Sequence, residues 1–314
     1  MLACPVRWLL KASAQKVLGA APGGRSANYL LQRHVARSLP RGEAAFARKF
    51  RRALRHLDAY SVHGTAEPSQ ARFYEFGPGW DLVVALSFRA LGVKRQTLVD
   101  VARVARPELV NDSLAKLERL EPDLAAESGR SLRALGPQLR SLDELEERFG
   151  IIYVAPQDPS DTGLPNASFD FVSSTSTLEH VPRDDIGPLL DECRRLLKGE
   201  GVMSCTVDLR DHFSFMDRGL SPYNFLRFDT RRWRLLSSPL NYQNRLRYPD
   251  YLALFRSAGF EVVEERAVEP SAQDLDVLRG LDLAEPFASR YSLEELGVKQ
   301  LRLVVRPTRS PDAQ

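Results

Sequence analysis

The chain has 314 residues, a length that suits one large α/β domain with additions or two smaller domains. Its content of 43% hydrophobic and 27% charged residues excludes wholesale disorder. No apolar run reaches the roughly 18–20 residues that a membrane-spanning helix needs. Three cysteines lie far apart and five histidines form no HExxH pattern, so we expect no disulfide framework, no metal site and a reducing, cytoplasmic environment.

The net charge of +3 hides an uneven distribution. Residues 1–57 hold twelve Lys and Arg residues and a single acid, Glu43, so the rest of the chain is net negative. Such a basic arm indicates an anionic partner, a membrane surface or a nucleic acid, or else a solvated helical face. Arg7 interrupts the apolar start of the chain, which disfavours a secretory signal but leaves an interfacial amphipathic helix open.

Hydrophobic spacing predicts the order of the elements. Residues 27–60 have apolar positions three and four apart, which predicts two helices separated at Pro40–Gly42. The polar residues 63–70 predict a linker, so we expect a basic helical extension over 1–70 and a second unit over 71–314. The predicted strands of that unit are 71–76, 96–101, 151–155, 169–173, 202–207, 260–267 and 300–306. The predicted helices are 81–91, most of 107–149, 182–197 and 250–258.

Seven strands alternating with helices predict an α/β fold, a doubly wound, mostly parallel sheet with helices on both faces. Two segments, 103–149 and 208–249, are too long to be plain connections. Long additions to such a sheet usually carry function, so we expect the second segment to be an inserted cover over a binding site.

The ends of the first two predicted strands carry a ligand-binding pattern. The first strand runs into Glu75, Gly77 and Gly79, and the second ends at Asp100. Ligands of open α/β sheets bind at the carboxyl ends of the strands, where glycines let the backbone approach closely. A carboxylate at the end of the second strand suits ribose hydroxyl groups. We therefore expect a nucleoside ligand.

Charge discriminates between two nucleoside cofactors. A dinucleotide site has a third glycine where Leu82 stands, and its pyrophosphate lies at a helix N-terminus. Asp81 at the predicted helix start would repel a pyrophosphate while suiting the helix dipole. S-adenosylmethionine has no phosphate and carries a sulfonium and an ammonium, so the sequence favours it over NAD.

The chain resembles the class I S-adenosylmethionine-dependent methyltransferases, particularly the methyltransferase type 11 group, over about residues 71–268. The motifs that carry the resemblance are EFGPGW (75–80), LVD (98–100), YVAPQDPSDTGLPNASFDFV (153–172), STLEHVP (176–182) and LLKGEGVMSCTVDL (196–209). The resemblance implies a Rossmann-like fold. A weaker similarity, through VDLRDHF and SPYNFLRF, is to bacterial enzymes of glycan or natural-product pathways.

The resemblance also implies roles for the strand-end residues. Gly77 and Gly79 would line the methionine part of the cofactor, and Glu75 would anchor its amino group. Asp100 would accept hydrogen bonds from the ribose hydroxyls.

Further roles are implied on the next two strands. Asp158 would bond the adenine amino group, and Ser173 and Ser174 would face the methyl group. Two positions depart from the family pattern. Asp81 replaces a glycine, which could alter the cofactor loop, and the usual Lys-Pro-Gly-Gly turn reads KGEG at 198–201, outside the expected pocket.

Methyl transfer to oxygen benefits from a general base. His212 is the first candidate because it follows the fifth predicted strand, and Asp211 beside it could orient the imidazole and raise its pKa. Alternatively, His212 only ties down the cover. His180, in the Leu-Glu-His turn, is the second candidate, with a structural role as its alternative.

The predicted cover is rich in aromatic, amide and arginine side chains, which suit an acceptor that carries a carboxylate, a phosphate or a sugar. We expect Tyr223, Asn224, Arg227 and Arg245 to contact the acceptor. Alternatively, the aromatic residues form only the core of the cover.

These patterns predict an S-adenosylmethionine-dependent methyltransferase that methylates an oxygen of a small-molecule, glycan or lipid-linked acceptor. A nucleic-acid methyltransferase or binder that uses the basic arm is an alternative, although no Asn/Asp-Pro-Pro-Tyr motif follows the fourth predicted strand. A non-catalytic cofactor-binding protein is another alternative. Attachment of the first helix to an anionic membrane is compatible with a lipid-linked acceptor.

Overall fold

A computed structural model describes residues 16, 24–35, 38–215, 217, 219–238, 240 and 242–308. The interfacial helix considered for the start of the chain lies outside the described residues. Within the described ranges, no helix is both long enough and apolar enough to cross a membrane.

The described residues form a seven-stranded sheet with the strand order β3-β2-β1-β4-β5-β7-β6. The strands are β1 Arg72–Phe76, β2 Arg95–Val99, β3 Ile151–Val154, β4 Phe169–Thr175, β5 Leu197–Asp208, β6 Phe260–Ala267 and β7 Gln300–Pro307. The pairs from β3 to β5 are parallel, and β7 runs antiparallel to both β5 and β6. The predicted doubly wound, mostly parallel sheet is confirmed.

The helices alternate with the strands along most of the chain. They are α1 Gly24–Leu30, α2 Glu43–His63, α3 Val83–Ala90, α4 Pro107–Arg119, α5 Glu121–Ser128, α6 Glu144–Phe149, α7 Arg183–Leu196, α8 Thr230–Leu236, α9 Tyr248–Ser257, α10 Ala272–Arg279, α11 Glu285–Ala288 and α12 Leu293–Gly297. A π-helical turn, Leu31–Val35, follows α1. Short 3-10 turns cover Leu178–His180, His212–Phe215 and Asn224–Arg227.

Buried residues lie on both faces of the sheet. Tyr74 belongs to the core cluster beneath α7 and α9, whereas its neighbour Phe73 belongs to the cluster formed with α2 and α3. Val172 and Phe171 are divided between the clusters in the same way. Because successive side chains of a strand point to opposite faces, helices cover the sheet on both sides.

Three predicted boundaries need correction. Helix α3 begins at Val83, so Asp81 lies in the loop before it rather than in its first turn. Residues 198–201, predicted as a turn, lie within β5, where the pairing register shifts between Phe169 and Phe171. Residues 129–143, inside the predicted helical stretch, form an irregular connection between α5 and α6.

Helix α2 is part of the core. Its Phe46, Phe50 and Tyr60 are almost fully buried. The Tyr60 ring lies with its centroid 5.0 Å from that of Phe73 and 5.3 Å from that of Phe171. The boundary at residue 70 stays a prediction, but this part of the extension packs directly on the sheet.

Much of the described basic charge of the arm is neutralised internally. Four ion pairs join the arm to acids of the later chain: Arg33 with Glu108, Arg41 with Asp81, Lys49 with Asp81 and Arg51 with Glu127. These pairs leave less positive charge for an external anion than the sequence suggests.

The cover is built from two segments rather than one. The predicted segment 208–249 packs against residues 268–299, which the sequence did not assign to a cover. Their shared apolar core contains Phe213, Tyr223, Phe225, Trp233, Leu278, Phe287 and Leu296.

Arg247 fastens the two segments together. It is fully buried and donates hydrogen bonds to the carbonyl oxygens of Leu209 (2.8 Å), Leu296 (2.7 Å) and Val298 (2.7 Å). Burial lowers the pKa of Arg247 to about 10, so it remains charged at neutral pH. One side chain therefore satisfies three carbonyl groups of both segments.

Candidate active site

The loop after β1 has the backbone that a closely approaching ligand requires. Gly77 and Gly79 have φ values of +67° and +78°, a region that favours glycine. A Cβ on Gly77 would lie 2.4 Å from Thr177 Cγ2, whereas a Cβ on Gly79 would meet nothing within 4 Å. Gly77 therefore allows the loop to touch Thr177, and Gly79 borders open space.

Glu75, at the end of β1, is a buried carboxylate that needs a cation. It is 3% exposed, and its Oε2 has no hydrogen-bond partner among the described residues. Burial raises the pKa of Glu75 to about 8, Lys49 acts to lower it, and Asp81 and Asp100 act to raise it. A bound ammonium would stabilise the ionised form.

Asp81 is held by cations of the arm. Its carboxylate pairs with Arg41 Nε at 2.5 Å and with Lys49 Nζ at 2.8 Å. Burial acts to raise the pKa of Asp81, but Lys49 and Arg41 together lower it to about 2. The predicted role of Asp81 at the helix dipole is therefore corrected, because the carboxylate faces two basic side chains instead.

Asp100 and Asp158 follow neighbouring strands. Asp100 is 9% exposed, and its Oδ1 accepts a hydrogen bond from the Ala102 backbone N–H at 3.2 Å. Asp158 is exposed, and its Oδ1 accepts from the backbone and hydroxyl of Ser160. The Gln157 N–H donates to the Asp100 carbonyl at 2.9 Å, which links the two loops. Their roles toward ribose and adenine stay predictions.

The end of β4 is covered by α2. Ser174 is fully buried, and its hydroxyl has no partner among the described residues. His56 reaches Ser204 Oγ (2.8 Å) and Thr175 Oγ1 (3.1 Å), and Arg52 donates to Ser176 Oγ at 2.9 Å. His56 and Arg52 are not among the site residues predicted from the sequence. A histidine on the apolar stripe of α2 was the available signal.

A family described as methyltransferase domain matches residues 32–265. The chain belongs to this methyltransferase family. The match includes α2, the cofactor loop and most of the sheet. The family and the loop together confirm S-adenosylmethionine as the cofactor of this methyltransferase.

Two solved methyltransferase structures show partial similarity to the chain. One is the 1,6-didemethyltoxoflavin-N1-methyltransferase of Burkholderia thailandensis, solved with 1,6-didemethyltoxoflavin and S-adenosylhomocysteine, at 16% identity, 92% coverage of both chains and a TM-score of 0.45. Another is an S-adenosylmethionine-dependent methyltransferase of Mesorhizobium loti, at 14% identity, 82% coverage of this chain, 99% of that chain and a TM-score of 0.41. No curated protein sequence matches the chain significantly.

Three ionisable groups of the methyltransferase meet at the ends of β4 and β5. Glu179, His180 and His212 each offer a ligand atom, and these atoms lie within 4.8 Å of one another. No metal-ligand spacing is visible in the sequence, because the two histidines are 32 residues apart. Burial raises the pKa of Glu179 to about 8, with Asp208 adding to the effect, and neither carboxylate oxygen has a partner among the described residues.

The two histidines have different surroundings. The His180 Nδ1–H donates to the Tyr242 carbonyl at 2.6 Å, and desolvation lowers the pKa of His180. The neutral ring therefore keeps the lone pair of its Nε2. Desolvation, followed by His180, lowers the pKa of His212 to about 3. Their ring centroids are 5.0 Å apart.

Asp211 does not orient His212 as expected. Its carboxylate accepts hydrogen bonds from the Phe213 N–H (2.8 Å) and from Asn224 Nδ2 (3.1 Å). The backbone N–H of His212 donates to Gln243 Oε1 at 2.9 Å. The pKa of His212 is lowered, not raised. Asp211 therefore organises the cover.

A cavity of about 750 Å³ opens beside His180, between the two segments of the cover and α7. Its lining includes Arg183, Trp233, Arg234, Ser237, Ser238, Tyr242, Arg245, Phe287, Arg290 and Tyr291. The cavity-lining residues after 268 could not be predicted, because nothing in their sequence pattern marks them as part of a cover.

Of the four residues expected to contact the acceptor, only Arg245 lines this cavity. The Tyr223 hydroxyl donates to the Gly297 carbonyl at 2.9 Å, and Asn224 is bonded to Asp211. Arg227 is exposed and lies outside the lining. The expected contacts of Tyr223, Asn224 and Arg227 with an acceptor are therefore corrected for this cavity.

Asn244 connects the cavity to the turn that carries His180. Its Nδ2 donates to the carbonyl oxygens of Leu178 (2.8 Å) and Val181 (2.9 Å), which flank His180. Its backbone N–H donates to the Glu179 carbonyl at 2.9 Å. The cover and the end of β4 are thus held in one arrangement.

Proposed function

We propose that the protein methylates an oxygen of a small-molecule, glycan or lipid-linked acceptor that binds in the cavity beside His180. The observation that carries the proposal is the hydrogen bond from His180 Nδ1–H to the Tyr242 carbonyl. This bond leaves Nε2 as a proton acceptor at the point where the cavity meets the end of β4.

The strand-end residues suit the parts of the cofactor. Glu75 provides a buried carboxylate for the ammonium, and Asp100 provides one for the ribose hydroxyls. Lys49 and Arg41 pair with Asp81 of this loop, and we propose that they also attract the methionine carboxylate. When bound, S-adenosylmethionine supplies a methyl group made electrophilic by the sulfonium.

The chain contributes alignment, a proton acceptor and exclusion of water. The Thr177 hydroxyl donates to the Gly77 carbonyl at 3.3 Å, which fixes the cofactor loop against the turn that carries His180. His180 Nε2 would take the proton of the acceptor hydroxyl, and Trp233 would limit access of water. Alignment of reacting groups can contribute about 7–11 kcal/mol.

The proposal is tested by transfer of labelled methyl groups from S-adenosylmethionine to a panel of phenols, sugars and lipid-linked sugars. We expect at least one hydroxyl compound to be labelled by the native protein. Asp100→Ala should lose both cofactor binding and labelling, because it removes the ribose contacts. Binding of S-adenosylmethionine without labelling of any hydroxyl compound would contradict O-methylation.

A lipid-linked acceptor would also give the basic arm a partner, an anionic membrane surface. Flotation of the full chain with vesicles that contain an anionic lipid tests this proposal. Neutral vesicles are the control, and absence of binding to the anionic vesicles would rule out the membrane contact.

A further inference from the structure

The cavity beside His180 is lined by four arginines, Arg183, Arg234, Arg245 and Arg290, and by no aspartate or glutamate. A pocket with this composition has a positive potential, which favours an anionic ligand. Aromatic side chains, Trp233, Tyr242, Phe287 and Tyr291, form much of the remaining wall.

One face of α8 supplies part of this lining. Thr230, Trp233, Arg234 and Ser237 line the cavity and follow the spacing i, i+3, i+4 and i+7 of a single helix face. Arg231 is exposed and is not in the lining. Arg234 thus faces the cavity, whereas Arg231 carries the same charge on another side of the same helix.

Only one of the four arginines is neutralised by a carboxylate of the described residues. Arg290 pairs with Asp250 at 2.6 Å. Arg183, Arg234 and Arg245 form no ion pair within the described part of the chain. The buried acids Asp81, Asp208 and Asp250 pair with other cations. Asp229 and Asp211 act on Arg245 only from a distance, so the lining of the cavity has more positive than negative charge.

Arg245 shows that the site is built rather than a chance cluster of surface cations. It is 8% exposed and lies between aromatic rings, with its Cζ 5.1 Å from the centroids of both Trp233 and Phe287. Its Nη1 donates to the carbonyl oxygens of Phe225 and Phe228. These neutral groups bind the guanidinium but do not neutralise its charge. Burial of a charge costs free energy unless an ion of opposite charge compensates it.

Two further observations point to a polar ligand. Ser238 is 5% exposed, lines the cavity, and its hydroxyl has no hydrogen-bond partner among the described residues. Arg245 has φ +62°, a conformation that non-glycine residues rarely adopt and that often occurs at functional sites. A buried hydroxyl donor beside arginines suits the oxygens of an anion.

We infer that the methyl acceptor carries an anionic oxygen group, a phosphate or a carboxylate, that is bound by Arg245 with Arg183 and Arg234. This inference rests on the proposed function, in which the ligand of the cavity is the methyl acceptor. The aromatic walls indicate that the rest of the acceptor is flat or apolar near the anion. The cofactor would then bind on the acidic side of the active site and the acceptor on the basic side.

The test is calorimetric titration of the full chain, saturated with S-adenosylhomocysteine, with three probes of similar size: phenyl phosphate, benzoate and benzyl alcohol. We expect an anionic probe to bind about tenfold or more tightly than the neutral alcohol, because charge-assisted hydrogen bonds to arginine are strong. The stronger of the two anionic probes identifies phosphate or carboxylate as the preferred group.

Matched variants on α8 locate the effect. Arg234→Gln should weaken binding of the anionic probe by about tenfold and leave benzyl alcohol unchanged, whereas Arg231→Gln should change neither. Arg183→Gln, combined with Arg234→Gln, should weaken binding further. These rim variants avoid Arg245, whose hydrogen bonds to the cover would complicate its replacement.

The outcomes separate this inference from the proposed function. Binding of S-adenosylhomocysteine with equal affinity for the three probes, or with no probe binding, would overturn the anionic acceptor alone. Equal effects of Arg231→Gln and Arg234→Gln would also overturn it. Binding of phenyl phosphate or benzoate by a protein that fails to bind S-adenosylhomocysteine would support the anion site and contradict the methyltransferase proposal.

Discussion

The cofactor loop and the cavity beside His180 lie near the same strand ends but have different ionisable side chains. Glu75 and Asp100 place buried carboxylates at the ends of β1 and β2. The cavity beyond His180 has four arginines and no carboxylate. The composition of the first region suits a cationic group of a ligand, and that of the second suits an anionic group.

The largest expected effect separates the chemistry of the two regions. His180→Gln should lower the rate of methyl transfer by about 10²–10⁴-fold, because a general base typically contributes that much. Affinity for S-adenosylmethionine should not change. Steady-state rates with the acceptor found in the panel, together with calorimetry for the cofactor, check this prediction. A rate loss in His212→Gln that equals or exceeds the loss in His180→Gln would contradict the assignment of His180 as the general base.

A smaller effect is expected on the cofactor side alone. Glu75→Gln should weaken binding of S-adenosylmethionine about 10- to 100-fold, because a charge-assisted hydrogen bond contributes about 1.5–3 kcal/mol. Binding of phenyl phosphate or benzoate in the cavity should not change. Glu118→Gln, on the exposed face of α4, is the control. Equal loss of both ligands in Glu75→Gln would show that the two regions are coupled.

The cover and the sheet should also differ in stability. Arg247→Leu leaves three carbonyl groups of the cover without their donor and should lower its local unfolding free energy by about 3 kcal/mol. Hydrogen exchange should increase in 209–249 and 268–298 and little in β1, β2 and β4. Arg256→Leu, at an exposed position of α9, is the control. A uniform increase over the sheet would mean that the cover and the sheet unfold together.

A further expected effect concerns the protonation of Glu75. The pKa of Glu75 is raised from 4.5 to about 8 in the folded chain, so folding without the cofactor favours the protonated carboxyl. The contribution of Glu75 to stability is present below pH 4.5 and is lost as the pH rises towards about 8. Thermal unfolding without cofactor should show this decline, and Glu75→Gln should reduce its slope. Part of the decline in stability with pH should remain in Glu75→Gln, because the pKa of Glu179 is also raised to about 8.

Cofactor binding should release part of a proton near neutral pH, because a bound ammonium lowers the pKa of Glu75 again. Calorimetry in buffers of different ionisation enthalpy measures this release. Identical binding enthalpies in all buffers for the native protein would contradict a protonated Glu75.

The positions of the strand-end residues could be predicted because they are local. Glu75, Gly77 and Gly79 are close in sequence, and Asp100 follows the next strand, so parallel pairing alone brings these positions to one edge. The charge partners of Asp81 could not be predicted, because Arg41 and Lys49 reach it through the docking of α2.

The cavity beside His180 was less predictable because it combines distant segments. Aromatic and arginine content predicts a cover over 208–249, but composition cannot distinguish Tyr223, which packs inside this segment, from Arg245, which lines the cavity. Arg290 and Phe287 belong to a segment with no motif. Their role depends on which surface packs against Trp233, and that information is tertiary.

The pairing of Asp81 with Arg41 and Lys49 also limits how far the chain can be truncated from its N-terminal side. A chain that starts at residue 71 keeps every cofactor motif but leaves Asp81 as a buried charge without its cations and removes Tyr60 from the rings of Phe73 and Phe171. The shortest stretch that contains the motifs is therefore smaller than the shortest stretch that folds autonomously. Expression of the enzyme for structural or screening work should retain residues from at least Arg41 onward.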